Sequence, residues 1–127
     1  MIKTFAVKPK VIYSAWLNSK EHSKMTGSKA KIYSKTNSNF SAWDGYITGK
    51  TTELKTDEKI VQQWRTTEFP EDAQDSILEI ELSETNEGTK LIMVHKNIPE
   101  GQGESYKKGW EDFYFKPMEE YFKKNKE

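Results

Sequence analysis

Cysteine is absent from the sequence, which removes disulfides, thiolate zinc sites and cysteine nucleophiles together and agrees with a reducing compartment. Arginine occurs once, as Arg65, so 19 of the 20 basic residues are lysine. The bidentate guanidinium chemistry that phosphate and base-edge readers favour is therefore almost missing. Net charge is missing as well, because 20 acidic residues balance the basic ones. No global field steers nucleic acid or an anionic membrane toward the chain. No apolar run approaches the ~18 residues of a membrane span, and no basic-then-apolar leader opens the sequence. The expectation is a soluble, cytoplasmic protein that binds neither nucleic acid nor membrane.

What is present is aromatic bulk. A hydrophobic content of 34% beside 31% charge would suit a loosely structured chain, but four tryptophans, six tyrosines and six phenylalanines argue for a packed core. At 127 residues the chain reads as one domain, 1–127, large enough to fold without a metal or disulfide.

Seven of the sixteen aromatics fall in one stretch, Glu104 to Asn125. It is long enough for about six helical turns. At about 100° per residue, Tyr106, Trp110, Phe113, Tyr114, Pro117 and Tyr121 share a sector roughly 100° wide. Phe115, Met118 and Phe122 form a second, narrower stripe on the other side. A regular helix here has two apolar faces and needs two surfaces to touch. Pro117 lies inside it, removes one backbone hydrogen bond and opposes the carbonyl of Phe113, so a bend is expected there.

The remaining elements follow from periodicity. Ile2 to Val7 alternates as a short strand. Pro9 suits a first helical position, and Val11, Ile12, Ala15 and Trp16 give a two-turn amphipathic helix ending near Leu17. Ser19 is a candidate cap for a second short helix to about Met25, stopped by Gly27. From Ala30 to Asn97 the period is two, broken by turn signals, as in an antiparallel meander. Strands are expected near Ala30 to Lys35, Asn39 to Trp43, Tyr46 to Lys55, Lys59 to Thr67, Ser76 to Ser83 and Thr89 to Lys96. Asp44-Gly45, Thr56-Asp57-Glu58 and Asn86-Glu87-Gly88 mark the hairpins. Gly49, inside a regular strand, signals a bulge or the close approach of another element. Alternation places Leu78, Ile80 and Leu82 on one face, and sets Leu91 and Met93 with His95, and Ile60 with Gln62 and Trp64. That face is mixed, and its polar members need partners when buried.

Specific residues sharpen this order of elements. Ala42-Trp43-Asp44-Gly45 with Ile47-Thr48-Gly49 and Glu53-Leu54, Ile60-Val61 with Trp64-Arg65, Gly88-Thr89 with Leu91, His95 and Ile98-Pro99, and Gly109-Trp110 with Tyr114-Phe115 together resemble the START-like (SRPBCC) superfamily. Within it they resemble the family of the activator of the 90-kDa heat-shock chaperone ATPase, in its carboxy-terminal domain. The resemblance covers nearly the whole chain. It implies an α+β helix-grip fold: a curved antiparallel sheet of about six or seven strands wrapped around the long C-terminal helix, with two short helices after the first strand closing one end of a cavity.

Within that fold, Trp64, Met93, His95, Tyr106, Trp110, Phe113, Tyr114 and Tyr121 are the candidates for lining a cavity; the alternative is that these aromatics simply fill a core. His95 is either a polar handle or general base there, or a satisfied structural group, and no carboxylate can be named beside it. Phe115, Met118 and Phe122 face outward as a partner surface or pack beneath the N-terminal segment. Arg65 either anchors a partner or pairs with an outward glutamate, Glu79 or Glu81. Glu71-Asp72 with Asp75, and Glu119-Glu120, read as solvated faces. His22 reads as exposed on its short helix, without a companion for a metal. No catalytic residue, metal or cofactor is expected. The leading expectation is a non-enzymatic protein holding a small hydrophobic ligand. A co-chaperone-like interaction module is the alternative, and a cavity enzyme of cyclase or dehydratase type the third.

Overall fold

In the computed structural model, which describes residues 1–124, the chain forms a curved six-stranded antiparallel sheet of order β1-β6-β5-β4-β3-β2. The strands are β1 Ile2–Phe5, β2 Asn39–Ala42, β3 Ile47–Lys55, β4 Lys59–Thr66, β5 Ser76–Thr85 and β6 Gly88–Lys96. Strands β2 to β6 are a meander, and β1 closes the order beside β6, with Ile2 opposite Ile92 and Phe5 opposite Thr89. Helices α1 Pro9–Trp16 and α2 Ser19–Thr26 follow β1. The C-terminal helix is α3 Gly103–Trp110, a π-helical turn Glu111–Phe115 and α4 Lys116–Lys124; Asn125, assigned to this helix from sequence, lies outside the described residues. This is the expected α+β helix-grip architecture.

The hairpin turns run through left-handed backbone, which Asp and Gly adopt readily and Trp43 does not. Trp43, Asp44 and Gly45 all have positive φ, as do Asp57 and Gly88 in the next hairpins. Gly49 is explained by close approach: a Cβ there would collide with the Gln63 carbonyl and lie 2.6 Å from the Phe40 ring. The bulge in this hairpin is elsewhere, between Thr51 and Glu53.

Two expectations near the N-terminus are corrected. Asn18, not Ser19, caps α2, its Oδ1 accepting the Glu21 N–H at 2.9 Å. The strand expected over Ala30 to Lys35 is reduced to a single bridge between Lys31 and Ser41. Its backbone is diverted to α2: Ser19 Oγ donates to the Ile32 carbonyl and accepts the Ile32 N–H, both at 2.9 Å, and Ser23 Oγ accepts the Ala30 N–H. Serine hydroxyls have satisfied groups that a partner strand would otherwise take.

The larger correction concerns the C-terminal helix, which has one apolar face rather than two. Phe115, Met118 and Phe122 are all buried, Met118 completely. They are not a partner surface. Phe122 meets Phe5 edge-on at 5.7 Å, beneath β1. In an unbroken α-helix the positions 106, 110, 114, 118 and 122 would drift by about 160°, because each step of four overshoots a turn by about 40°. The π-turn takes up one extra residue and sets the later positions back by about 100°. Tyr106, Trp110, Tyr114, Met118 and Phe122 thereby stay on one buried stripe. Phe113 is moved off it and is 57% exposed. The turn ends at Phe115, with the Lys116 N–H donating to the Glu111 carbonyl, just before Pro117 and its missing donor. Proline shows its effect as this widened turn.

Arg65 is corrected as well. It pairs with Asp75 at 2.9 Å and donates to the carbonyls of Ala73 and Pro70, with its guanidinium 5.4 Å from the centre of the Phe69 ring. It closes the 67–75 loop, while Glu79 pairs with Lys96. Asp75 is therefore a structural partner and not part of a solvated acidic face.

Candidate functional site

The mixed inner face of the sheet is fully partnered. Gln62, buried in β4, donates to Thr51 Oγ1 at 3.1 Å and accepts the Trp16 indole N–H at 3.3 Å. Among the described residues no buried side-chain donor or acceptor lacks a partner.

His95 is part of this network, and its tautomer follows from its neighbours. Ser76 Oγ donates its only hydrogen to the Trp64 carbonyl at 2.6 Å, so at the 2.8 Å contact with His95 it accepts from Nε2–H. Nδ1 is then the acceptor, and it receives the Trp110 indole N–H at 3.1 Å. His22 is not exposed, as the polar character of α2 suggested, but buried, on the same side of its helix as Met25. Its Nδ1 lies 2.8 Å from the Trp16 carbonyl at the end of α1, which can only accept, so Nδ1 carries the hydrogen and Nε2 accepts from the Tyr114 hydroxyl at 2.9 Å. Burial pushes both imidazoles down to about 4 and raises the Tyr114 phenol above its ordinary value. Both histidines are neutral near pH 7, with opposite tautomers and both ring nitrogens engaged.

These two imidazoles stand behind successive turns of the C-terminal helix and fix the polar ends of Trp110 and Tyr114, whose rings lie 4.9 Å apart. In front of them is a cleft of about 370 Å³ between α3, the π-turn and the β2–β3–β4 end of the sheet. It is lined by Trp43, Tyr46, Ile47, Trp64, Ser105, Tyr106, Gly109, Trp110, Phe113 and Tyr114. Trp43 and Phe113 meet edge-on at 5.7 Å at its exposed side, and Trp64 stacks at a tilt 5.4 Å from Trp110. No lining residue is charged. The Tyr106 hydroxyl is occupied, donating to Gln102 Oε1 at 2.8 Å and lying 2.6 Å from Thr66 Oγ1, and the Tyr46 hydroxyl donates to the Glu68 carboxylate.

Of the residues singled out from sequence, Trp64, Tyr106, Trp110, Phe113 and Tyr114 come together around this cleft. Three do not. Met93 is buried within the sheet face, His95 stands behind Trp110, and Tyr121 packs on Phe122 with ring centres 5.6 Å apart. Sequence reasoning missed Trp43, Tyr46, Ile47, Ser105 and Gly109. The Trp43-Asp44-Gly45 turn was the available signal, since a hairpin beside the helix brings its flanking aromatics to the same place. Among the described residues no group of three or more potential ligands could hold a metal ion, and no helix is long and apolar enough to cross a membrane.

Comparison with known proteins gives this geometry a family context. The family model described as activator of Hsp90 ATPase homolog 1-like protein matches residues 6–123. The activator of 90 kDa heat shock protein ATPase homolog 1 of Homo sapiens is 25% identical over 120 residues, which is 94% of this chain and 35% of the human protein. The chain thus spans about a third of that relative's length. Among solved structures, an HSP90 activator from Plasmodium falciparum has a TM-score of 0.87 at 28% identity, covering 94% of this chain and 91% of that one. A protein from Mesorhizobium loti, at 18% identity and covering 98% and 95%, has a TM-score of 0.82 and shares the fold.

Proposed function

Since this chain belongs to the activator of Hsp90 ATPase homolog 1-like family, we propose that it is a non-enzymatic binding protein that takes a small hydrophobic ligand in the cleft beside Trp110 and Tyr114. The observation that carries the reading is the cleft itself. Its volume of about 370 Å³ falls in the range of small-molecule sites, and its walls are aromatic, uncharged and supported from behind by hydrogen bonds. The engagement of both nitrogens on His22 and His95 supports the non-enzymatic part, because a general base needs a free lone pair within reach of substrate. Native mass spectrometry of gently purified protein is expected to show a bound apolar molecule, and the neutral dye Nile red is expected to titrate into the empty protein. A protein that carries nothing and leaves the dye dark in solution would sink the reading.

A second reading is favoured by the likeness to the Plasmodium falciparum HSP90 activator, which extends over nearly the full length of both chains. In it, this protein binds the 90-kDa chaperone and raises its ATPase rate. Phe115, Met118 and Phe122 are buried and offer no surface for such contact. An ATPase assay with the cognate chaperone separates the readings: stimulation supports this one, and neither stimulation nor binding dismisses it.

A further inference from the structure

Gly109 has no conformational reason to be glycine. It lies inside α3, where glycine destabilises the helix relative to alanine. Its backbone is not left-handed, and an added Cβ would meet nothing closer than Phe113 Cδ2 at 3.9 Å, an ordinary contact. Gly49, where a side chain would strike the neighbouring strand, is the contrast. What distinguishes position 109 is its place on the cleft wall, one turn after Ser105 and one turn before Phe113. The helix therefore presents bare backbone to the cleft between these two. Trp110 and Tyr114 cannot swing across to fill that space without losing their anchors on His95 and His22, and the Phe113 ring stands at its edge.

We propose that Gly109 is the specificity-determining position of the cleft: the missing side chain leaves a slot for the edge of a flat, uncharged ring system, which lies against the helix backbone and stacks on the surrounding aromatics. The absence of any charged lining residue selects against ionised ligands, which would lose hydration with nothing to pair with. The aromatic walls favour planar faces over branched aliphatic chains. The assignment rests on the ligand-binding reading above.

Nile red, a flat neutral ring system, tests it by fluorescence titration of the wild type, Gly109→Ala, Gly109→Leu and Trp43→Ala, with the urea midpoint measured for each. Gly109→Ala is expected to bind at least threefold more weakly while its midpoint stays level or rises. Gly109→Leu is expected to lose at least tenfold. Unchanged affinity in a folded Gly109→Leu overturns the proposal, and if Trp43→Ala loses the dye at the same time, the cleft reading survives without it. If Gly109→Leu does not fold, unchanged affinity in Gly109→Ala overturns it instead. A wild type that binds no Nile red overturns both.

Discussion

Trp110 donates its indole N–H to Nδ1 of His95 at 3.1 Å, and this bond joins the C-terminal helix to the sheet through a side chain whose other nitrogen donates to Ser76. The pairing makes His95 the acceptor on which the orientation of the cleft wall depends. Replacing it with leucine leaves a buried indole N–H without a partner, at a cost of about 1–3 kcal/mol. His95→Gln, which keeps an acceptor, should lose less. Urea unfolding followed by tryptophan fluorescence distinguishes them, and equal stability of the two variants would contradict the bond.

The tautomers provide a second, independent check. Long-range nitrogen–proton NMR at pH 7 should show His95 protonated on Nε2 and His22 on Nδ1. Two identical tautomers would rule out one of the two networks.

Both imidazoles titrate at about 4 in the folded protein against 6.5 ordinarily, through burial. Between these values the unfolded chain binds more protons, so the stabilisation is complete above about pH 6.5 and is lost as the pH falls toward 4. From pH 6.5 to 5, above the range where most carboxylates titrate, the loss should be on the order of 1–2 kcal/mol for His22, and less for the more exposed His95. Urea midpoints across this interval measure it. A flat profile would show that the histidines are not held neutral.

The single stripe of the C-terminal helix predicts an asymmetry between neighbours. Met118→Ala should cost about 2–5 kcal/mol, since the side chain is fully enclosed. Phe113→Ala, at 57% exposure, should cost less than about 1 kcal/mol. A regular α-helix with Phe113 inward would give the opposite order.

Arg65 closes its loop by one ion pair and two carbonyl contacts. Arg65→Lys keeps the charge but loses the fork, so amide exchange should speed up over residues 68–75 with little change in the strands. Uniform exchange across the sheet, or none in the loop, would argue against a local clamp.

How much of this was legible depended on the range of the interaction. The strands β2 to β6 and their hairpins are encoded by alternation and by turn residues such as Asp44-Gly45, all of which act over a few positions. The inward set Leu78, Ile80 and Leu82 followed from the pleat alone. His22 was misread because its helix looks polar and its partner, Tyr114, is 92 residues away. The segment after Gly27 was misread because its donors and acceptors went to serine side chains on α2, an alternative that periodicity does not contain. The same limit applied to the cleft: Trp110 and Tyr114 were visible as a helical pair, but Trp43 and Gly109 acquire their meaning only when the β2–β3 hairpin comes to lie beside the helix.

By itself the sequence determined that this chain is an α+β protein with an aromatic C-terminal helix laid on a meander, because periodicity and turn chemistry are properties of neighbouring residues. The tertiary structure decided how many faces that helix has. A strict period of 3.6 separates Phe115, Met118 and Phe122 from Tyr106 and Trp110, and only packing against the sheet, with Pro117 weakening the regular hydrogen-bond ladder, favours the widened turn that puts them back together. The same turn leaves Phe113 at the open side of the cleft, where it faces solvent and not the core.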